Sequence, residues 1–134
     1  MLVTREMDYA MRVVRALDGR EGLATAAGVA ERERMSPAVT LKILKRLHAA
    51  GLVASRRGPS GGYLLQRPCG ELYLLDLFRA LGESPLVNRC QRPGYRCENY
   101  PQGGCGLCRE LTRVQEALDE ELRRVPLSVI FQEP

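Results

Sequence analysis

SPAVTLKILKRLHAAGLVASRRGPSGGYLL, residues 36–65, holds a helix start, a helix, a sharp stop and a glycine-rich hairpin in one unbroken run. Ser36 offers a hydroxyl to cap a helix and Pro37 suits its first turn, where a missing N–H costs nothing. Val39, Ile43, Leu44 and Leu47 then recur at the spacing of one helical face, which predicts a helix that ends at Ala50 before Gly51. Residues 52–57 read as a strand, Gly58-Pro59-Ser60-Gly61-Gly62 as a turn that needs glycine-rich backbone to close, and residues 63–65 as the return strand.

Working outward toward the start, residues 5–17 place Ala10, Val13, Val14 and Leu17 on one helical stripe, closed by Gly19. Thr25 caps a short second helix through Ala26, Val29 and Ala30, which stops near Arg34. Two helices joined by a tight turn and followed by a hairpin read as a helix-turn-helix with a wing. Toward the other end, Leu74, Leu75, Leu77, Phe78 and Leu81 form a short apolar helix closed by Gly82, expected to pack the winged unit. Residues 83–104 contain Pro85, Pro93, Pro101, Gly94, Gly103 and Gly104 with almost no apolar periodicity, so only ligand bonds are expected to order them. From residue 105 to about 124, Leu107, Leu111, Val114, Leu118, Leu122 and Val125 recur near a heptad spacing. A helix of that length with one narrow stripe predicts a two-fold partner along Leu111, Val114, Leu118 and Leu122, while Pro126 stops it and residues 127–131 pack back. The expected fold is mainly α, a winged helix-turn-helix with a long C-terminal dimerisation helix. The expected parts are a DNA-binding unit at 1–82, a cysteine loop at 83–104, and a dimerisation helix and tail at 105–134.

The net charge of +4 is unevenly spread. Residues 1–68 carry twelve Lys/Arg against six Asp/Glu, and residues 69–134 carry eight against ten. A basic first half points to a polyanion and an acidic second half to a protein partner. Ser36, Ala38, Leu41, Lys42 and Lys45 are expected on the outward side of the reading helix. Arg56 and Arg57, at the wing base, and Ser60 and Gly61, at its tip, complete the expected DNA contacts. His48, the only histidine, falls near the C-terminal end of that helix, where it complements the dipole or touches phosphate. No apolar run approaches a membrane span and no secretory h-region opens the chain, so a cytoplasmic protein with no membrane partner is expected. No Ser/His/Asp set, phosphate-cradling loop or metal-bound-water motif is present, so no enzyme is expected.

Cys90, Cys97, Cys105 and Cys108 fall within nineteen residues of irregular, Gly/Pro-rich chain, and Cys69 lies apart between Pro68 and Gly70. Thiolates on such backbone can converge on one centre, and soft sulfur selects an iron–sulfur cluster or zinc. Free thiols, and a redox protein built on the Cys105-x-x-Cys108 pair, are the remaining readings of the same residues.

Over essentially its whole length the chain resembles the IscR and NsrR type of bacterial winged-helix regulators, the Rrf (type two) family. The resemblance rests on MLVTREMDYAMR at 1–12, AAGLVASRRGPSGGYLL at 49–65, LLDLFRALGE at 74–83, and a cysteine loop that leads into a long helix. RGPSGGY is its most specific part. It implies a homodimeric transcription regulator, a repressor by expectation, that binds a pseudo-palindromic operator. It also implies a 2Fe-2S or 4Fe-4S cluster in the loop, sensing nitric oxide, redox state or cluster supply. Family members that bind a cluster usually complete three loop cysteines with a different fourth ligand. Here Cys108 stands where the resemblance would put a histidine, and Asp8 matches the acidic ligand that the nitric-oxide-sensing branch draws from the partner's first helix. Cys108 is the expected fourth ligand and Asp8 the runner-up.

Overall fold

The computed structural model describes residues 2–132. Helix α1, Arg5–Leu17, begins at Thr4, whose Oγ1 accepts the Met7 N–H at 3.2 Å, and it buries Met7, Ala10, Val13, Val14 and Leu17 on one side. Helix α2, Ala26–Glu33, is capped by Thr25 through the Gly28 N–H at 3.0 Å and ends at Arg34 in the left-handed region, φ 52°. Helix α3, Pro37–Ala49, opens on the Ser36 cap, where Val39 N–H donates to Oγ at 3.3 Å, and stops at Gly51 with φ 77°. Its buried face is Thr40, Ile43, Leu44 and Leu47. The expected inward Val39 is only half-buried, and Thr40 takes the deeper place because its hydroxyl donates to Ser36 O at 2.9 Å and so enters the core satisfied.

Strand β1, Val53–Arg56, pairs antiparallel with β2, Gly62–Leu65, in the register Val53↔Leu65, Ala54↔Leu64, Ser55↔Tyr63 and Arg56↔Gly62. Both strands match the expected hairpin to within a residue. A third piece of backbone joins the wing unannounced by the sequence: Ala24 and Tyr63 exchange N–H···O bonds of 2.8 and 2.7 Å. That bridge ties the start of α2 to the return strand. It also explains Gly62, since a Cβ there would lie 2.6 Å from Ala24 O, whereas Gly61 is required by the turn itself, where a Cβ would lie 2.3 Å from Arg56 O.

A 3-10 turn at Cys69–Glu71 leads to α4, Leu74–Ala80, which buries Leu75, Leu77 and Phe78. Helix α5 spans Gly106–Arg124 and a last turn, α6, spans Leu127–Ile130. The tail does pack back. Leu127 N–H donates to Leu72 O at 2.8 Å, Leu74 N–H to Val125 O at 2.9 Å, and the Leu127 side chain is fully buried. One core, holding Met7, Val13, Leu44, Leu77, Phe78, Leu122 and Leu127 among others, joins all the helices.

Of the expected seam residues, Leu122 is buried in the chain's own core and the half-buried Leu118 packs against that core. Leu107, 68 % exposed, and Val114, 52 % exposed, carry the uncovered part of the stripe, with Leu111 half-buried between them. The heptad pattern is shared between two faces because α5 must satisfy its own domain first.

Gly61→Ala forces a methyl into the Arg56 carbonyl. It should lower stability by roughly 1–3 kcal/mol, the usual cost of overpacking, as read from the midpoint of urea unfolding at unchanged slope.

Candidate nucleic-acid interface and cysteine pocket

Two surfaces emerge. On the first, Ala38, Leu41, Lys45 and His48 line the open side of α3, with Leu41 exposed. Lys45, His48, Ser55, Arg56, Arg57 and Tyr63 surround a cleft of about 320 Å³ between that helix and the wing. The sequence-predicted Lys45, Arg56 and Arg57 are therefore brought together, and His48 joins them. Ser60 and Gly61 form the tip, where Gly61 N–H donates to Gly58 O at 2.9 Å. Ser36 is exposed and spends its hydroxyl on the helix cap.

Lys42 is outward, its side chain 59 % exposed; it lies one turn before Arg46, and both cations bind the Glu6 carboxylate, Lys42 at Oε1 and Arg46 at Oε2. The Lys42 hydrogen bond, with the Arg46 charge, holds the Glu6 carboxyl below the usual carboxylate range against the opposing effect of burial. On the other side of α1, Arg15 pairs with the nearly buried Glu33 of α2. The first helix thus grips both helices of the helix-turn-helix by ion pairs as well as by its apolar face.

The second surface is a pocket of about 430 Å³ whose wall includes Cys90, Cys97, Cys105 and Cys108. Cys105 is the N-cap residue of α5 and Cys108 follows on its first turn, while Cys90 sits in a short 3-10 turn, Arg89–Gln91. Burial first, then the neighbouring Cys90 thiol, with Cys105 and Cys97 behind it, pushes the Cys108 thiol up. All four thiols are free, and among the described residues no group of three or more His, Cys, Asp or Glu side chains is arranged to hold a metal ion. Tyr95, Tyr100 and Arg96 complete much of the wall.

Cys69 stands apart as expected. It is buried in the core, and desolvation together with Asp18 pushes its thiol up to about 12. Asp8 is outside the cysteine pocket of its own chain; it pairs with Arg12 at 3.0 Å and borders a cleft of about 330 Å³ with Met11, Ile130 and Phe131.

The loop is not left to ligand bonds alone, which corrects the sequence expectation. Gln115, buried on α5, accepts from Val87 N–H at 2.8 Å and donates through Nε2 to Pro85 O at 3.0 Å and Asp119 Oδ1 at 2.8 Å. Asn88 Oδ1 accepts the Cys90 N–H at 3.1 Å. Thr112 Oγ1 lies 2.9 Å from Cys108 O and 3.3 Å from Gln91 Oε1, and Gln91 Nε2 is buried without a partner among the described residues. A glutamine in the middle of an amphipathic stripe, Leu111-x-x-x-Gln115-x-x-Leu118, was the available sign of this anchor.

The Rrf2 family, described as an iron-dependent transcriptional regulator, matches residues 3–133, and the chain belongs to it. Among relatives, the HTH-type transcriptional regulator IscR of Xenorhabdus nematophila is 40 % identical over 76 residues, 57 % of this chain and 46 % of that one. The regulator of the same name from Cronobacter sakazakii is 38 % identical over 79 residues, 59 % of this chain and 49 % of that one. The aligned part of this chain spans about half the length of these relatives. The structure of CymR, the global cysteine regulator of B. subtilis, matches with a TM-score of 0.69 at 26 % identity, covering 96 % of this chain and 95 % of that one. T. potens IscR matches in fold with a TM-score of 0.65 at 23 % identity, covering 94 % and 82 %. The mainly helical winged architecture expected from the sequence is the architecture of these regulators.

Gln115→Leu keeps the volume of the anchor and strands Pro85 O and Val87 N–H. It should cost roughly 1–3 kcal/mol, the scale of unsatisfied buried polar groups, and hydrogen exchange at Val87 should become fast while that of α3 does not change.

Proposed function

We propose that this Rrf2-family chain acts as a homodimeric DNA-binding transcription regulator whose operator affinity answers to an iron–sulfur cluster held by Cys90, Cys97, Cys105 and Cys108. The observation that carries the reading is that four cysteines, spread over nineteen residues, share the wall of one pocket, in a chain whose other end presents a reading helix and a basic wing.

Four thiols on one pocket wall suit a soft metal centre, an iron–sulfur cluster or zinc. A 4Fe-4S cluster would take each cysteine on a different iron and a 2Fe-2S cluster two cysteines on each, and the pocket beside them measures about 430 Å³. When bound, the cluster supplies redox and nitric-oxide reactivity that protein side chains lack. The chain's own residues do the rest. Cys105 and Cys108 offer sulfurs from the rigid start of α5, Cys90 and Cys97 offer theirs from the loop, and Gln115 fixes the loop root so that Cys90 stays opposite Cys108. The unpartnered Gln91 amide next to Cys90 marks a polar environment not completed by protein atoms alone. A zinc-bound or metal-free thiol regulator of the same fold is the second reading, favoured by the likeness to the B. subtilis cysteine regulator.

On DNA, Lys45, Arg56 and Arg57 would meet phosphates, and Ala38 and Leu41 would reach base edges in the major groove, where Leu41 can cover a thymine methyl. A dimer would set two such helices about 34 Å apart, one turn of the duplex. The exposed Leu107 and Val114 support a contact with a second copy.

Anaerobically prepared protein should contain iron and acid-labile sulfide together and absorb in the visible. Zinc without sulfide would move the assignment to the second reading. Cys108→Ala should lose or destabilise the visible spectrum and Asp8→Ala should keep it; the reverse pattern would give the fourth position to Asp8 of a partner subunit. In a separate measurement, Val114→Glu should yield folded monomers by light scattering, because the side chain is exposed and contributes nothing to the chain's own core. A wild type that is monomeric at micromolar concentration would remove the dimer from the proposal.

A further inference from the structure

Glu6 bridges two elements that the sequence treats separately. Its carboxylate receives Lys42 Nζ and Arg46 Nη1, cations one turn apart on α3 whose side chains stay 59 % and 40 % exposed, and it is itself about one-third exposed at the edge of the surface that holds the reading helix. The turn that carries it is fixed from two directions. Thr4 caps it through the Met7 N–H, and the Thr4 hydroxyl lies 3.0 Å from both carboxylate oxygens of Glu83, the residue after the stop of α4. Met7, the next residue along, is fully buried, so the Glu6 backbone cannot drift with its side chain.

Electrostatic attraction to phosphates supplies nearly all of a protein's affinity for DNA of any sequence, and each cation that neutralises a phosphate adds about 0.9 to the salt slope of binding. A carboxylate beside two such cations competes with the phosphates and repels the backbone that would replace it. Resting on the DNA reading above, we propose that Glu6 is a specificity-setting positioning residue: it keeps Lys42 and Arg46 against α1, so that α3 meets random DNA with Lys45 as its available lysine. Exposed ion pairs are weak, of order 0–1 kcal/mol, so the restraint is a bias that a well-placed operator phosphate can overcome. Discrimination follows from this. Phosphates are alike on every duplex, so the two contacts are recruited where base contacts at a matched site hold α3 close enough for phosphate to displace Glu6.

The test is a double-mutant cycle on full-length protein with a random-sequence duplex, titrated by anisotropy across a range of salt concentrations. Glu6→Gln keeps the size of the side chain and removes its charge; it should steepen the salt slope by about 1–2 and raise low-salt affinity for random DNA at least several-fold. Lys42→Gln should change the slope by less than about half of one contact in the wild-type background and by about 0.9 in the Glu6→Gln background. Equal effects of Lys42→Gln in both backgrounds, or an unchanged slope in Glu6→Gln, would overturn the inference. Circular dichroism and thermal melting confirm that each variant is folded, and Lys42→Gln, at an exposed position, carries the comparison if Glu6→Gln proves unstable, since a full loss of one contact in the wild type already contradicts a Lys42 engaged by Glu6. Wild-type protein with no salt-dependent affinity for any duplex would instead defeat the DNA reading itself.

Discussion

The buried face of α1 is the contact around which this molecule is organised. Met7, Ala10, Val13, Val14 and Leu17 are all in the core, and α1 touches α2, α3, α4 and the return strand of the wing. Each large apolar side chain so buried contributes about 1.5–3 kcal/mol relative to exposure, enough to make this helix the fixed reference for the reading head. Polar contacts then set orientation rather than stability. Glu6 takes Lys42 and Arg46, Arg15 takes Glu33, and Thr4 meets Glu83. An axle held by packing and aimed by ion pairs is suited to passing small displacements to α3, because packed cores move as units.

Glu83 gives that arrangement its link to the cysteines. Its backbone N–H closes α4 by donating to Phe78 O at 2.9 Å, and two residues later Pro85 is tied to Gln115. The loop therefore leaves the winged unit from a rigid root and re-enters order at Cys105, on the same helix that carries Gln115.

The long helix carries one apolar stripe in two different surroundings. Leu118 and Leu122 seal the chain's own core against α4, whereas Leu107 and Val114 remain open. A periodic stripe reports that a helix has an apolar face; it carries no label saying whether the covering surface belongs to the same chain. Gln115 lies at the division, buried and fully hydrogen-bonded, where the helix passes from its own domain to the cysteine loop.

Local signals in the sequence determined the caps at Thr4, Thr25 and Ser36, the glycine stops, the hairpin and its turn, because each depends on residues within a few positions of one another. They also gathered the four loop cysteines and the basic first half as candidates. Tertiary structure alone decided what long-range packing decides. It gave Thr40 rather than Val39 the core position, turned Lys42 to Glu6, added Ala24 to the wing, ordered the loop root on Gln115 and buried Leu122 in the chain's own core. In each case a satisfied hydrogen bond, an ion pair or a neighbour's apolar surface, contributed by residues distant in sequence, chose between conformations that local periodicity left equal.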